Sequence, residues 1–229
     1  QALAFAAALR GIAATIVMPD HAPQVKVDAV RGYGASVVTV PNADRETATD
    51  RIISETGAVL VHPFEHPDVV AGQGTASLEL LDDRPDIEVV VTPVGGGGLL
   101  SGTSLVTDHR GVGAVGVEPE LVDDAARSLR DGVRHPATGA MSVGDGLLGR
   151  MGALAFAMLR DAAVEMVTVS EPQIMDAVRL HAQRMKLVVE PSGATVLAAL
   201  LAHPDRFAGR TVGAVISGGN LDLELLGTS

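Results

Sequence analysis

Four consecutive glycines, Gly95 to Gly98, separate the apolar run Ile87-Glu88-Val89-Val90-Val91-Thr92-Pro93-Val94 from the helix-forming run that starts at Leu99. Glycine has the largest backbone entropy to lose, so four in a row between two strong elements call for a compensating gain that a plain linker does not offer. A strand, glycine loop and helix supply one. The first N–H groups of a helix have no internal partner, and its amino end carries positive dipole charge. Bare glycine backbone lets an anion approach those groups, so the segment is predicted to cradle a phosphate. The dinucleotide fingerprint G-x-G-x-x-G does not fit, because Leu100 or Ser101 occupies the position of its third glycine. Glu118 does fall at the end of the next predicted strand, where a ribose-binding acid belongs, so a nicotinamide-dependent oxidoreductase stays open as an alternative. The Lys-Ser/Thr of a P-loop is absent, and a small monophosphate fits best.

The rest of the chain alternates in the same way. Predicted strands are Ala13–Met18, Ser36–Val40, Ala58–Val61, Ile87–Thr92, Val112–Val117, Val164–Val169 and Val212–Ile216. Between them the pattern predicts helices at 1–10, 24–31, 44–55, 69–81, 99–108, 123–131, 154–160, 171–185 and 194–201. Strands alternating with helices of about ten residues imply β-α-β units and an open parallel α/β sheet. The strands read as continuous apolar runs, as expected where helices cover both faces. The proline-bracketed loop His62-Pro63-Phe64-Glu65-His66-Pro67 breaks the rhythm and predicts two subdomains, residues 1–62 and 63–229.

Composition narrows the function. The 229 residues carry 28 acidic against 17 basic side chains, a net charge of −11. A surface of that sign repels nucleic-acid phosphates, and no basic stripe interrupts it, so no nucleic-acid partner is expected. The absence of cysteine excludes disulfides, zinc–thiolate sites and thiol catalysis. No apolar run approaches the roughly 20 residues of a membrane-spanning helix, and no signal peptide is visible; the expected location is the cytoplasm, away from membranes. With aromatic residues at only 2%, the core must be built from aliphatic side chains and alanine.

A second motif lies near the end. The predicted strand Thr211–Ile216 runs into Ser217-Gly218-Gly219-Asn220, which places a hydroxyl where α/β folds bind ligands; a simple turn is the competing reading. Gly95–Gly98 together with Ser217–Asn220 resemble the fold-type II pyridoxal-phosphate enzymes, which have the tryptophan-synthase-β-like fold, and within them the threonine/serine dehydratases and serine racemases. The resemblance continues through Lys26–Ala35, His62-Pro63-Phe64, Ala71-Gly72-Gln73-Gly74-Thr75, Ser142-Val143-Gly144-Asp145-Gly146 and Val189-Glu190-Pro191-Ser192-Gly193-Ala194. It implies a pyridoxal 5′-phosphate cofactor with its phosphate on Gly95, Gly96, Gly97 and Gly98. Leu99, Gly146, Glu190 and Gly218 are implied as further contacts, and Ser217 would face the pyridine nitrogen. The implied activity is an ammonia-lyase that converts L-threonine or L-serine to a 2-oxo acid and ammonia, with serine racemisation as the alternative and a homodimer as the assembly.

The resemblance also implies a Mg²⁺ or Ca²⁺ site from the Glu118 carboxylate, the Val122 carbonyl and the Asp124 carboxylate; hard oxygen ligands suit such ions. On the competing reading, the acids at 123 and 124 only favour a helix amino end. The family's covalent lysine precedes a motif that resembles what would stand before Gln1, so both that lysine and the substrate-side serine are expected upstream of residue 1. The uncapped opening Gln1-Ala2-Leu3-Ala4 fits a chain incomplete at its amino end. Lys26 and Lys186, the two lysines present, are expected to be solvated. The chain alone is therefore expected not to turn over, and a non-catalytic ligand-binding remnant is a further alternative. The seven histidines show no metal-binding spacing.

Overall fold

The computed structural model describes residues 1–227 and divides into two compact units, Gln1–Val61 and His62 onward. The first unit holds two parallel strands, β1 (Thr15–Pro19) and β2 (Ser36–Val40), paired Thr15 to Ser36 through Pro19 to Val40. Helices α1 (Ala2–Leu9), α2 (Gln24–Gly32) and α3 (Arg45–Thr56) accompany them. Ala4, Val30 and Ala35 form its small buried centre, with Ile16, Met18 and Val37 packed against them. Both strands are only half-buried, so the expectation of strands covered on both faces does not hold here. The predicted strand at Ala58–Val61 is also absent: left-handed Gly57 ends α3, and Val59 is 88% exposed. An apolar run becomes a strand only where a ladder partner is available, and this one has none among the described residues.

In the second unit, β3 (Val89–Pro93), β4 (Gly113–Pro119), β5 (Val164–Val169) and β6 (Val212–Ala214) form one parallel sheet in the order β5-β4-β3-β6. Its helices are α4 (Pro67–Asp83), α5 (Gly98–Arg110), α6 (Asp124–Asp131), α7 (Ala153–Leu159), α8 (Glu171–Leu180), α9 (Pro191–Ala202) and the single turn α10 (Pro204–Phe207). Strand side chains alternate between faces. Val89, Val91, Val115, Val117, Val167 and Val169 meet Ile174 and Val178 of α8 and Val196 and Ala198 of α9. On other faces Val90 meets Leu81 and Ile87, while Ala114 meets Leu100 and Leu159. Each valine so buried contributes on the order of 1.5–3 kcal/mol. No described helix is long and apolar enough to cross a membrane.

Three departures from the predicted elements matter for the site. β6 stops at Ala214 rather than Ile216; one more bond, from Val215 N–H to the Val91 carbonyl at 2.9 Å, ends the pairing. The next bond of a parallel ladder would come from the N–H of residue 93, and Pro93 has none. The helix predicted through Met185 instead ends its α-helical part at Leu180 and continues as a π turn, His181–Met185, closed by Lys186 at φ 60°. Finally, α4 and α5 approach so closely at Gly74 and Gly102 that a Cβ on Gly74 would lie 2.7 Å from the Gly102 carbonyl oxygen. That contact, with the buried Ser77–Thr103 hydroxyl pair at 2.8 Å, locks the helix that follows the glycine loop.

Candidate active site

The amino end of α5 follows directly from the carboxyl end of β3, and Gly95–Gly98 make the connection. The loop is closed in on every side from which a side chain could enter. A Cβ on Gly96 would overlap the Phe64 ring, and one on Gly98 would stand 2.9 Å from Gln73 Nε2 and 3.0 Å from the Phe64 Cβ. Gly97 adopts φ +91°, a conformation that favours glycine, and its added Cβ would meet the Ala155 methyl at 2.7 Å. A Cβ on Gly95 would come within 3.0 Å of the Leu147 Cα. Four side-chain-free positions therefore leave backbone amides as the surface presented at the start of a 13-residue helix. That arrangement fits a phosphate.

Phe64 and Gln73 are placed by local bonds. His62 Nδ1 accepts from the Phe64 and Glu65 amides at 3.3 and 2.9 Å, and Gln73 Nε2 donates to the Pro63 carbonyl at 3.0 Å. The loop of residues 142–152 closes another side. Glu171 accepts from Ser142 Oγ at 2.7 Å and from the Val143 amide at 2.6 Å, and the Gly146 amide donates to Ser192 Oγ at 3.0 Å. Ser192 begins α9 beside Gly193, whose added Cβ would lie 3.1 Å from the Gly218 carbonyl oxygen. Glu190 is buried against Gly218, and its Oε2 accepts from the Asn220 amide at 3.2 Å. The structure thus links Gly95, Gly146, Glu190 and Gly218 through contiguous contacts. Ser217 adjoins Gly218 but is exposed and lies beyond the end of β6, not on it. Leu99 is half-buried in the first turn of α5. A groove of about 460 Å³ along α6 and β5, lined by Asp123, Arg130, Met166 and Thr168 among others, contains none of these residues.

Glu118 and Asp124 are each 1% exposed. The two Glu118 oxygens accept from the Ala125 and Ala126 amides at 3.1 and 2.8 Å, so this carboxylate caps α6 from the neighbouring strand. Burial pushes its pKa up to about 8; the two amides oppose that rise, and the charges of Asp124 and Asp123 add to it. Asp124 Oδ2 accepts from the Met151 amide at 2.9 Å, while buried Oδ1 has no partner. Its pKa too is raised, chiefly by burial, with the Met151 bond opposing. Val122 is buried in the turn between them, and Asp123 instead pairs with Arg127 at 2.8 Å. Two crowded carboxylates and one idle oxygen fit a cation, although no group of three or more metal-ligating side chains occurs among the described residues. Lys186 Nζ donates to the Gln183 carbonyl at 2.5 Å.

Phe64, Gln73, Met151, Glu171 and Ser192 were not singled out as site residues from the sequence. Phe64, Gln73 and Ser192 lie inside the segments that carry the family resemblance, which is the signal that could have found them; Met151 and Glu171 carry none.

Residues 1–218 match the family described as pyridoxal-phosphate dependent enzyme. The chain belongs to that family. It is 39% identical over 228 residues to the β-hydroxyaspartate dehydratase of Paracoccus denitrificans, covering 98% of this chain and 72% of that one. It is 42% identical to the L-threonine ammonia-lyase of Thermotoga maritima, over 99% of this chain and 57% of the relative. Among solved structures, maize serine racemase superposes with a TM-score of 0.93 at 37% identity, covering 98% of this chain and 71% of that one. The open parallel sheet is therefore the fold-type II architecture. Membership in the family also favours pyridoxal phosphate over the nicotinamide alternative.

Proposed function

We propose that this chain carries the cofactor cup of a pyridoxal-phosphate-dependent ammonia-lyase acting on L-threonine or L-serine. The observation that carries the reading is the glycine cradle, whose side-chain-free positions are enforced by Phe64, Gln73, Ala155 and Leu147. The named substrates of the relatives, hydroxyaspartate, threonine and serine, are all β-hydroxy-α-amino acids, and the proposal takes the two simplest. Bound pyridoxal phosphate supplies the electron sink for bond breaking at the substrate Cα. The amides of Gly95–Gly98, with Leu99 in the same turn, hold the phosphate. Gly146 and Gly218 leave room for the ring, and Glu190 fixes the Gly218–Asn220 turn so that the Ser217 hydroxyl faces the pyridine nitrogen. A neutral hydroxyl there keeps that nitrogen less protonated than a carboxylate would.

On this reading residues 63–229 belong to the large cofactor-binding subdomain and 1–62 to the small one, and the assembly is a homodimer. Glu118, the Val122 carbonyl and Asp124 hold Mg²⁺ or Ca²⁺. Neither lysine is the covalent one, since Lys186 is spent on a helix carbonyl and Lys26 sits on α2. Racemisation of serine is the second reading, favoured by the similarity to maize serine racemase together with the buried Glu118–Asp124 pair.

The test is to titrate the purified chain with pyridoxal phosphate, follow melting temperature, reduce with borohydride, map any labelled lysine, and assay 2-oxo acid and D-serine formation. Stabilisation by the phosphate ester, without specific labelling of Lys26 or Lys186, is expected. Absence of any stabilisation sinks the cup reading, and specific labelling with 2-oxo acid formation overturns the statement about the lysines.

A further inference from the structure

Beneath the glycine cradle, two consecutive amides point at two different acceptors. The Met151 amide donates to Asp124 Oδ2 at 2.9 Å, and the Gly152 amide donates to the Gly96 carbonyl at 2.9 Å. Both residues are buried, and the Met151 ε-carbon would lie 3.6 Å from a Cβ on Gly97. The space where a Gly152 side chain would stand is taken by the Glu65 carboxylate, which accepts from the Leu154 amide at 3.3 Å. A carboxylate at the start of α6 is thereby tied, through two residues, to a carbonyl inside the loop.

The Gly96 carbonyl and the Gly97 N–H belong to one planar peptide unit. Glycine on both sides makes rotation of that unit inexpensive, since neither residue resists a change of φ and ψ. Unrestrained, the unit could turn its N–H away from an anion. The Gly152 bond opposes this, and the Asp124 carboxylate holds Gly152 in place by way of Met151. Burying Asp124 with one oxygen unpartnered costs free energy that a helix-start position alone does not justify.

Resting on the reading of Gly95–Gly98 as a phosphate site, we propose that Asp124 is a positioning residue for that site. Its carboxylate fixes Met151 and Gly152, these fix the Gly96–Gly97 peptide, and the loop amides are held in their anion-facing orientation before any phosphate arrives. Asp124→Asn keeps an oxygen acceptor for the Met151 amide, whereas Asp124→Ala removes it.

The experiment measures binding of pyridoxamine 5′-phosphate, which has no aldehyde, by fluorescence titration in the presence of chelator. It also measures amide exchange at Gly152 without ligand. Asp124→Ala should weaken binding about tenfold or more and raise Gly152 exchange by a similar factor, while Asp124→Asn should stay within about threefold on both. Equal losses in the two variants, or unchanged Gly152 exchange in Asp124→Ala, overturn the proposal. Should the unaltered chain bind no pyridoxamine phosphate, the cradle reading fails, and Gly152 exchange still decides the role of Asp124. Should Asp124→Ala not fold, pyridoxamine phosphate added to the unaltered chain must slow exchange at Met151 and Gly152, because such coupling is reciprocal; no slowing overturns the proposal.

Discussion

The two ends of the proposed cup are built to different standards. Gly95–Gly98 follow a strand buried along its whole length and are walled by Phe64, Gln73, Leu147 and Ala155. Ser217–Gly219 follow a three-residue edge strand, and Ser217 is exposed. A phosphate end fixed before binding and a ring end held mainly through Glu190 divide the work: rigid amides supply affinity, and a looser turn admits a ring that must tilt during reaction. Loss of preorganisation should therefore be felt far more at the first end than at the second.

Three changes sharpen or break that contrast. The largest effect is expected from Gly96→Ala, which sets a methyl group into the Phe64 ring. Pyridoxamine phosphate affinity should fall by about two orders of magnitude, and adding Phe64→Ala should recover part of the loss; a single variant that binds normally breaks the comparison. The next concerns Glu118, whose pKa is raised from 4.5 to about 8 in the folded chain. The native state then binds the extra proton between those values, so the contribution of Glu118 is fully present below about 4.5 and lost as pH rises through about 8. In chelator, melting temperature should decline over that window in the unaltered chain and decline less in Glu118→Gln. A Mg²⁺-dependent rise in melting temperature at pH 8 should be present in the unaltered chain and absent in the variant. The smallest effect is expected from Ser217→Ala, which removes one hydroxyl from an exposed turn. Affinity should change by about threefold or less, while the absorption of bound pyridoxal phosphate shifts; a large loss of affinity would show that the ring end is as rigid as the other.

How much of this was legible depended on the range of the forces involved. β5 was predicted over Val164–Val169 and occurs there, because its apolar run has a buried neighbour in β4. The glycine cradle was legible because strand, glycine and helix signals all lie within a dozen residues. Ala58–Val61 had the local signal and lacked the partner. Glu118 and Asp124 were singled out together, yet nothing local says that Glu118 caps α6 or that Asp124 reaches Met151, 27 positions away. The contact of Phe64 with Gly96 spans 32 positions and comes from tertiary folding alone. The chemistry-bearing residues could be read from the sequence, whereas the residues that hold them still could not.

Pro93 has a consequence beyond ending a ladder. Val215 has already bonded to Val91, and the sheet would zip one step further if residue 93 had a hydrogen to offer. Because it has none, the backbones of β3 and β6 part company at that rung, one turning into the glycines and the other into Ser217. The hollow at the top of the sheet is in this sense carved by subtraction: a single absent hydrogen keeps two neighbouring strands from closing over the space that a flat aromatic ring needs.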